Sequence, residues 1–183
     1  MLKKFMAFVD GENLVCRFQE MKKKGREPKP EVIHEDDTFV WVRQLTEWTL
    51  MDLIRVQYYT SVVGDQDKVE NLEKKISDTR FKCSGKDLAG TAKLIPRVHH
   101  KRRNSRKTKV VDIDIAIDVM RAITEMPIDA IFLLTGDGDY LSLVREVTRS
   151  SKQVHLGAFS SGLASELART VEQFIDLDPL FFK

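Results

Sequence analysis

The run "AIFLL" at 130–134 limits what this chain can become more than any other stretch. Five apolar residues in a row leave no polar face, so a strand built from them must be covered on both sides. The run "FMAFV" at 5–9 has the same character. "IRVQYYTSVV" at 54–63, rich in β-branched and aromatic residues, and "QVHLGAFS" at 153–160 read as further strands. Between these runs apolar residues recur at helical spacing: Leu14, Val15, Phe18 and Met21, then Val69, Leu72 and Ile76, then Leu141, Val144 and Val147. Non-alternating strands separated by helices predict an α/β fold, a three-layer α/β/α sandwich around a mainly parallel sheet. A chain of 183 residues suits one such domain, spanning 1–183.

Three other segments carry expectations. "FVWVRQLTEWTLM" at 39–51 is predicted as a helix capped by Asp37 or Thr38, with Trp41, Leu45 and Trp48 on one side. Residues 84–109 are polar and basic, contain Pro96, and read as irregular. "VVDIDIAIDVMRAITEM" at 110–126 is predicted as a helix that is apolar nearly all round, and so packed on several sides.

Bulk charge points to no partner, because the formal net charge is only +2. Cys16 and Cys83 stand outside any metal-ligand spacing and read as free thiols of a reducing compartment. The first apolar run meets Asp10 too early for a signal peptide, and no stretch is long enough to span a bilayer. A cytoplasmic protein without a membrane partner is expected.

In doubly wound sheets, ligands sit beyond the carboxyl ends of the strands. Two strands end there in acids: Asp10 in "FVDGEN", and Asp137 with Asp139 in "TGDGDY". The 110–126 helix adds Asp112, Asp114 and Asp118. Each has an ordinary reading. Asp10 can serve a turn before Gly11, and Asp139 can cap the next helix with Asp137 left in the loop. Asp112 suits a helix start, and Asp114 can face solvent. Asp118, flanked by apolar residues, needs a partner such as Arg121, Arg145 or Asn13. Asn13 can orient a ligand or cap the first helix, and Thr135 can hold a carboxylate or close its turn. One cap does not account for two acids in "TGDGDY". Carboxylates gathered at one edge repel, and a hard cation, Mg²⁺ or Mn²⁺, is their natural neutraliser. Zinc is disfavoured, because His34, His99, His100 and His155 show no ligand spacing.

"FVDGEN", "KVVDIDIAIDVM", "IFLLTGDGDYLSLV" and "KQVHLGAF" together resemble the NYN domain, a branch of the PIN-like nuclease superfamily. The nearest likeness is to its LabA-like bacterial and archaeal members, and it runs from about residue 5 to 177. The resemblance implies a Rossmann-like sandwich and metal-dependent RNA cleavage by clustered acids. Carried over motif by motif, it assigns catalytic roles to Asp10, Asn13, Asp112, Asp118, Asp137 and Asp139. Asp10, Asp112, Asp137 and Asp139 are the implied metal ligands, with either Asp112 or Asp118 contacting the ion directly. Asp114 has no counterpart. The family often has a glycine where Val110 follows Lys109.

The segment "IPRVHHKRRNSRKTK" at 95–109 carries Arg97, Lys101, Arg102, Arg103, Arg106, Lys107 and Lys109 with no acid among them. Alone it reads as a solvated charge run. Next to the acids of 112–118, it is the expected grip on the phosphates of a single-stranded RNA. The leading expectation is a Mg²⁺- or Mn²⁺-dependent endoribonuclease. The main rival is a non-catalytic RNA-binding module of the same fold. A haloacid-dehalogenase-type phosphatase would need Asp-x-Asp where Asp10-Gly11-Glu12 stands. A nucleotide cofactor is not expected, because "GDGDYL" lacks the third glycine and its acids would repel a pyrophosphate. Oligomeric state is open, since domains of this kind can form homodimers.

Overall fold

The computed structural model describes residues 3–47, 52–83, 90–101 and 109–183. Strand β1 (Lys4–Asp10) runs into helix α1 (Gly11–Lys23). A small hairpin of β2 (Ile33–Glu35) and β3 (Phe39–Trp41), then a 3-10 turn (Arg43–Thr46), lead to the long β4 (Asp52–Val63). Helix α2 (Gln66–Asp78), a second hairpin of β5 (Arg80–Cys83) and β6 (Gly90–Lys93), and strand β7 (Ile95–Lys101) follow. The second half comprises α3 (Val110–Glu125), β8 (Ala130–Leu134), a 3-10 turn (Gly138–Tyr140) and α4 (Leu141–Arg149). It ends with β9 (Gln153–Ala158), α5 (Ser165–Thr170), β10 (Gln173–Asp176) and α6 (Asp178–Phe181).

Six strands form one sheet in the order β10-β9-β8-β1-β4-β7, and every neighbouring pair is parallel. Helices α1 and α2 cover one face, where Leu14, Phe18, Leu72 and Ile76 pack with Ala7, Val9, Phe132 and Leu134. Helices α3, α4 and α5 cover the other, where Ile115, Val119, Val144 and Leu167 pack with Phe8, Ile131 and Leu133. Both sides of the apolar strands are therefore buried, and the three-layer α/β/α fold read from their composition is the fold adopted. Among the described residues, no helix is long and apolar enough to cross a membrane.

The chain builds outward from β1 through β4 to β7, then crosses back to place β8, β9 and β10 on β1's other side. The carboxyl ends of β1 and β8 thus flank the switch point. Val9 pairs with Leu134, which brings Asp10 and Thr135 side by side just beyond the last rung.

Three sequence expectations need correction. The helix expected over 39–51 is not formed in its described part, 39–47: Phe39–Trp41 is a strand and Arg43–Thr46 a single 3-10 turn. Phe39, Val40, Trp41 and Val42 are all buried, which an extended chain inside the core allows and an amphipathic helix does not. Trp48 lies outside the described residues. Residues 84–109 are not irregular throughout, because β7 adds an edge strand on β4 and pairs Pro96 with Tyr58. An outermost strand tolerates proline, since one of its edges needs no donor. Helix α3 is not packed all round: Val110, Ile113 and Ile117 form an exposed stripe, with Ile113 at 55%.

Gly11, the first residue of α1, sits where the helix leaves the sheet against β4. A Cβ there would lie 2.4 Å from the Tyr58 ring and 2.6 Å from the Tyr59 carbonyl oxygen. Tyr58 is fully buried and donates its hydroxyl to the Val40 carbonyl at 3.3 Å, so it cannot yield cheaply. Gly11→Ala is expected to lower unfolding free energy by about 1–3 kcal/mol in urea titrations. A change within ~0.5 kcal/mol of the parent would show that the close approach is not a constraint.

Candidate functional site

Asp10 closes β1 and caps α1. Its Oδ1 accepts the backbone N–H of Asn13 at 3.0 Å, and its Oδ2 accepts the Thr135 hydroxyl at 3.0 Å. Thr135 Oγ1 in turn accepts the backbone N–H of Asp137 at 3.2 Å. Asn13 uses its side-chain Oδ1 to accept the N–H of Gly136 at 3.0 Å. Two bridges therefore fasten the start of α1 to the loop after β8. Asn13 does not cap the helix, since Asp10 does.

The "TGDGDY" loop is held by its own acid. Asp137 Oδ1 accepts the N–H of Asp139 at 3.0 Å and caps the 3-10 turn Gly138–Tyr140. The expected roles are reversed: Asp137 is the cap, and Asp139 reaches Lys109 Nζ at 2.7 Å. Tyr140, almost wholly buried, donates its hydroxyl to Asp112 Oδ1 at 3.2 Å. This bond and its packing in the α3–α4 core fix Asp112 toward the loop.

Burial dominates the electrostatics. Asp10 is 3% exposed, and desolvation pushes its carboxyl up to about 7, despite the two hydrogen bonds that favour its charged form. The charges of Asp112 and Glu12 add to the rise. Asp112 is raised too, by burial and by the charges of Asp137 and Glu12, against the Tyr140 bond. The Tyr140 hydroxyl is also pushed up, by burial first and then by Asp10 and Asp112. Asp112 thus lies in the field of Asp137 and Glu12, and Asp10 in the field of Asp112 and Glu12.

Asp118 is not in that group. Six residues further along α3, and so about 9 Å deeper along the helix axis, it accepts Tyr59 Oη at 2.7 Å and Gln57 Nε2 at 3.3 Å. Arg121 lies 3.3 Å away and Arg97 Nε 3.7 Å away. Its ordinary reading, a structural pair with Arg121, matches this geometry; Arg145 pairs instead with Glu166. Asp114 faces His99, whose Nε2 lies 2.9 Å from its Oδ2.

Glu12 was overlooked as a site residue, although it stands in the same "DGEN" step as Asp10. Its Oε1 accepts Lys101 Nζ at 2.7 Å and the Ser61 hydroxyl. Only the spacing of two acids at a helix start could have flagged it. The basic residues divide accordingly. Lys101 sits on Glu12, Lys109 on Asp139 and Arg97 beside Asp118. Arg102, Arg103, Arg106 and Lys107 lie outside the described residues.

The donors around Asp10 are all oxygens, which suits a hard cation such as Mg²⁺ or Mn²⁺. Among the described residues, no three carboxylate, imidazole or thiolate groups stand at metal-holding spacing. An ion here would keep several waters, as Mg²⁺ commonly does.

The raised Asp10 carboxyl makes a signed prediction. The unfolded chain releases this proton near 3.8 and the folded chain near 7, so stability declines as pH rises from about 4 to about 7. In metal-free buffer at pH 8, Asp10→Asn is expected to be more stable than the parent, by up to ~2 kcal/mol after its altered hydrogen bonds are counted. Thermal melts should show the difference vanish by pH 5. A less stable Asp10→Asn at both pH values would contradict this.

A crystal structure of a protein of unknown function from Vibrio parahaemolyticus RIMD 2210633 superimposes with a TM-score of 0.64 over 100% of this chain and 97% of that one. At 15% identity, the likeness speaks to the fold alone. No curated protein matches the sequence. The family model of the NYN domain matches residues 4–178, from the first residue of β1 to the start of α6. With nearly its whole length covered, the chain belongs to the NYN domain family.

Proposed function

We propose that the protein is a metal-dependent endoribonuclease working at the carboxyl edge of β1 and β8. NYN domains are generally nuclease-like, and PIN-like nucleases generally use divalent metals. The observation that carries the reading is Asp10: a buried carboxylate held at the switch point with Asp112 and Glu12 in its field, and Asp137 in the field of Asp112. A fold that needed only a helix cap would be better served by a serine or asparagine, which cap without a charge to desolvate.

Asp10, Asp112 and Asp137 would hold Mg²⁺ or Mn²⁺, with Asp139 joining once Lys109 turns away. The bound cation would supply activation of water and compensation of charge on the phosphodiester. The protein's own residues do the rest. Thr135 and the Asn13 N–H fix the Asp10 oxygens, so the carboxylate cannot rotate. Tyr140 fixes Asp112. Lys101 and Lys109, both in the basic segment, are placed to exchange their carboxylate partners for phosphates of the strand. Asp118 holds β4 to α3 and acts only on stability.

Single-stranded RNA cleavage with Mg²⁺ or Mn²⁺ tests this. Asp10→Asn and EDTA are each expected to reduce cleavage by ~100-fold or more, a loss of about 2.7 kcal/mol in transition-state stabilisation. Asp118→Asn should stay within tenfold of the parent while losing ~1–2 kcal/mol of stability. Equal degradation by parent and Asp10→Asn, with and without EDTA, would favour the non-catalytic binding module. Mn²⁺ affinity should also rise about tenfold per pH unit up to about 7, because Asp10 must release its proton to bind. A flat profile between pH 5.5 and 7 would remove Asp10 from the ligand set.

A further inference from the structure

A second cleft, of about 690 Å³, lies on the α1–α2 side, between the β2–β3 hairpin, the Arg43–Thr46 turn and the last turns of α2. That volume is ordinary for a small-molecule site, which spans roughly 300–1,000 Å³. Helix α2 starts at the carboxyl edge of the sheet and ends here, about 18 Å further along its axis. None of the carboxylates described above lines this cleft.

Two buried polar atoms on its wall have no hydrogen-bond partner among the described residues: the Trp41 indole Nε1 and the Gln44 side-chain Oε1. Trp41 is fully buried, with its ring held edge-on to Tyr58 at 6.5 Å. A buried donor and a buried acceptor left unanswered are each unfavourable, because water no longer satisfies them. One is a donor and the other an acceptor, so a planar edge that both accepts and donates answers both together. The base edge of a nucleotide has that pattern.

The rim supplies the other half of a nucleotide site. Arg43, Lys74 and Arg80 line it and make no ion pair among the described residues, while Lys75 is paired with Glu35 at 3.1 Å. Glu31 and Asp78 are the acids on the same rim. The excess of guanidinium and ammonium groups suits a phosphate. Arg43, Lys74 and Arg80 are exposed and can turn outward to admit a planar ring to Trp41.

We infer that this cleft binds a nucleotide, its base edge on Trp41 Nε1 and Gln44 Oε1 and its phosphate on Arg43, Lys74 and Arg80. The same moiety can come from a free ribonucleoside monophosphate or from one residue of an RNA strand. The inference does not depend on cleavage at Asp10.

The chain has two tryptophans, Trp41 and Trp48, so ¹⁵N spectra carry two indole signals, assigned with Trp41→Phe and Trp48→Phe. The probes are the four 5′-ribonucleoside monophosphates and a 2′-O-methyl oligonucleotide, titrated in EDTA so that no cleavage intervenes. At least one probe is expected to shift the Trp41 signal saturably. Gln44→Met and Arg80→Glu should each weaken that binding at least tenfold, and Asp10→Asn should leave it unchanged. Saturation by a monophosphate identifies a free-nucleotide site; saturation by the oligonucleotide alone identifies a strand site. No shift at 10 mM of any probe, or a shift that survives both Gln44→Met and Arg80→Glu, overturns the inference.

Discussion

The Asp10 carboxylate is the contact on which the rest of the molecule turns. One oxygen holds the first turn of α1 and the other holds Thr135, so a single side chain ties β1, α1 and the loop after β8 together. It does so from a position that water barely reaches. A charge there is expensive, and the rise of its carboxyl to about 7 is the measure of that expense. The arrangement makes sense when the same group must also present negative charge to something outside the chain. A positive ion at the edge would offset the desolvation that the protein alone leaves uncompensated.

Around that contact, the acids fall into two layers with different work. At the edge, Asp112 lies in the fields of Asp10 and Asp137, while Glu12 and Asp139 are met by Lys101 and Lys109 of the basic segment. Further along α3, Asp118 is surrounded by Tyr59, Gln57, Arg97 and Arg121, and links the sheet to α3. Asp112 and Asp118 share that helix, separated by its rise. Asp118 is matched by donors and cations on several sides, whereas Asp10, the more buried of the two, faces other acids.

The sheet was legible because its strands lack alternation, and that absence has one structural meaning: cover on both faces. Asp10 and Asp137 were legible because strand ends at a switch point are where a doubly wound fold exposes its chemistry. Other features were not. Phe39–Trp41 reads equally as helix or strand, and only burial by the hairpin and Tyr58 decides it. The edge strand β7 is only partly covered on its faces, with no residue of Ile95–Lys101 buried, so its sequence carries no apolar strand period. The exchange of roles between Asp137 and Asp139 depends on which carboxylate folds back onto the turn: Asp137 does, and Asp139 reaches Lys109, 30 residues away in sequence. Glu12 is visible in the sequence only as a neighbour. Its weight comes from Ser61 and Lys101, which the fold brings from β4 and β7.

The most direct test of the central claim is a crystal structure soaked in millimolar Mn²⁺, read by anomalous scattering. A peak is expected beside the Asp10 carboxylate, between Asp112 and Asp137, with Lys109 turned away from Asp139. Crystals that show no such peak, with Asp10 still bonded to Asn13 and Thr135, Asp112 to Tyr140 and Asp139 to Lys109, would contradict it.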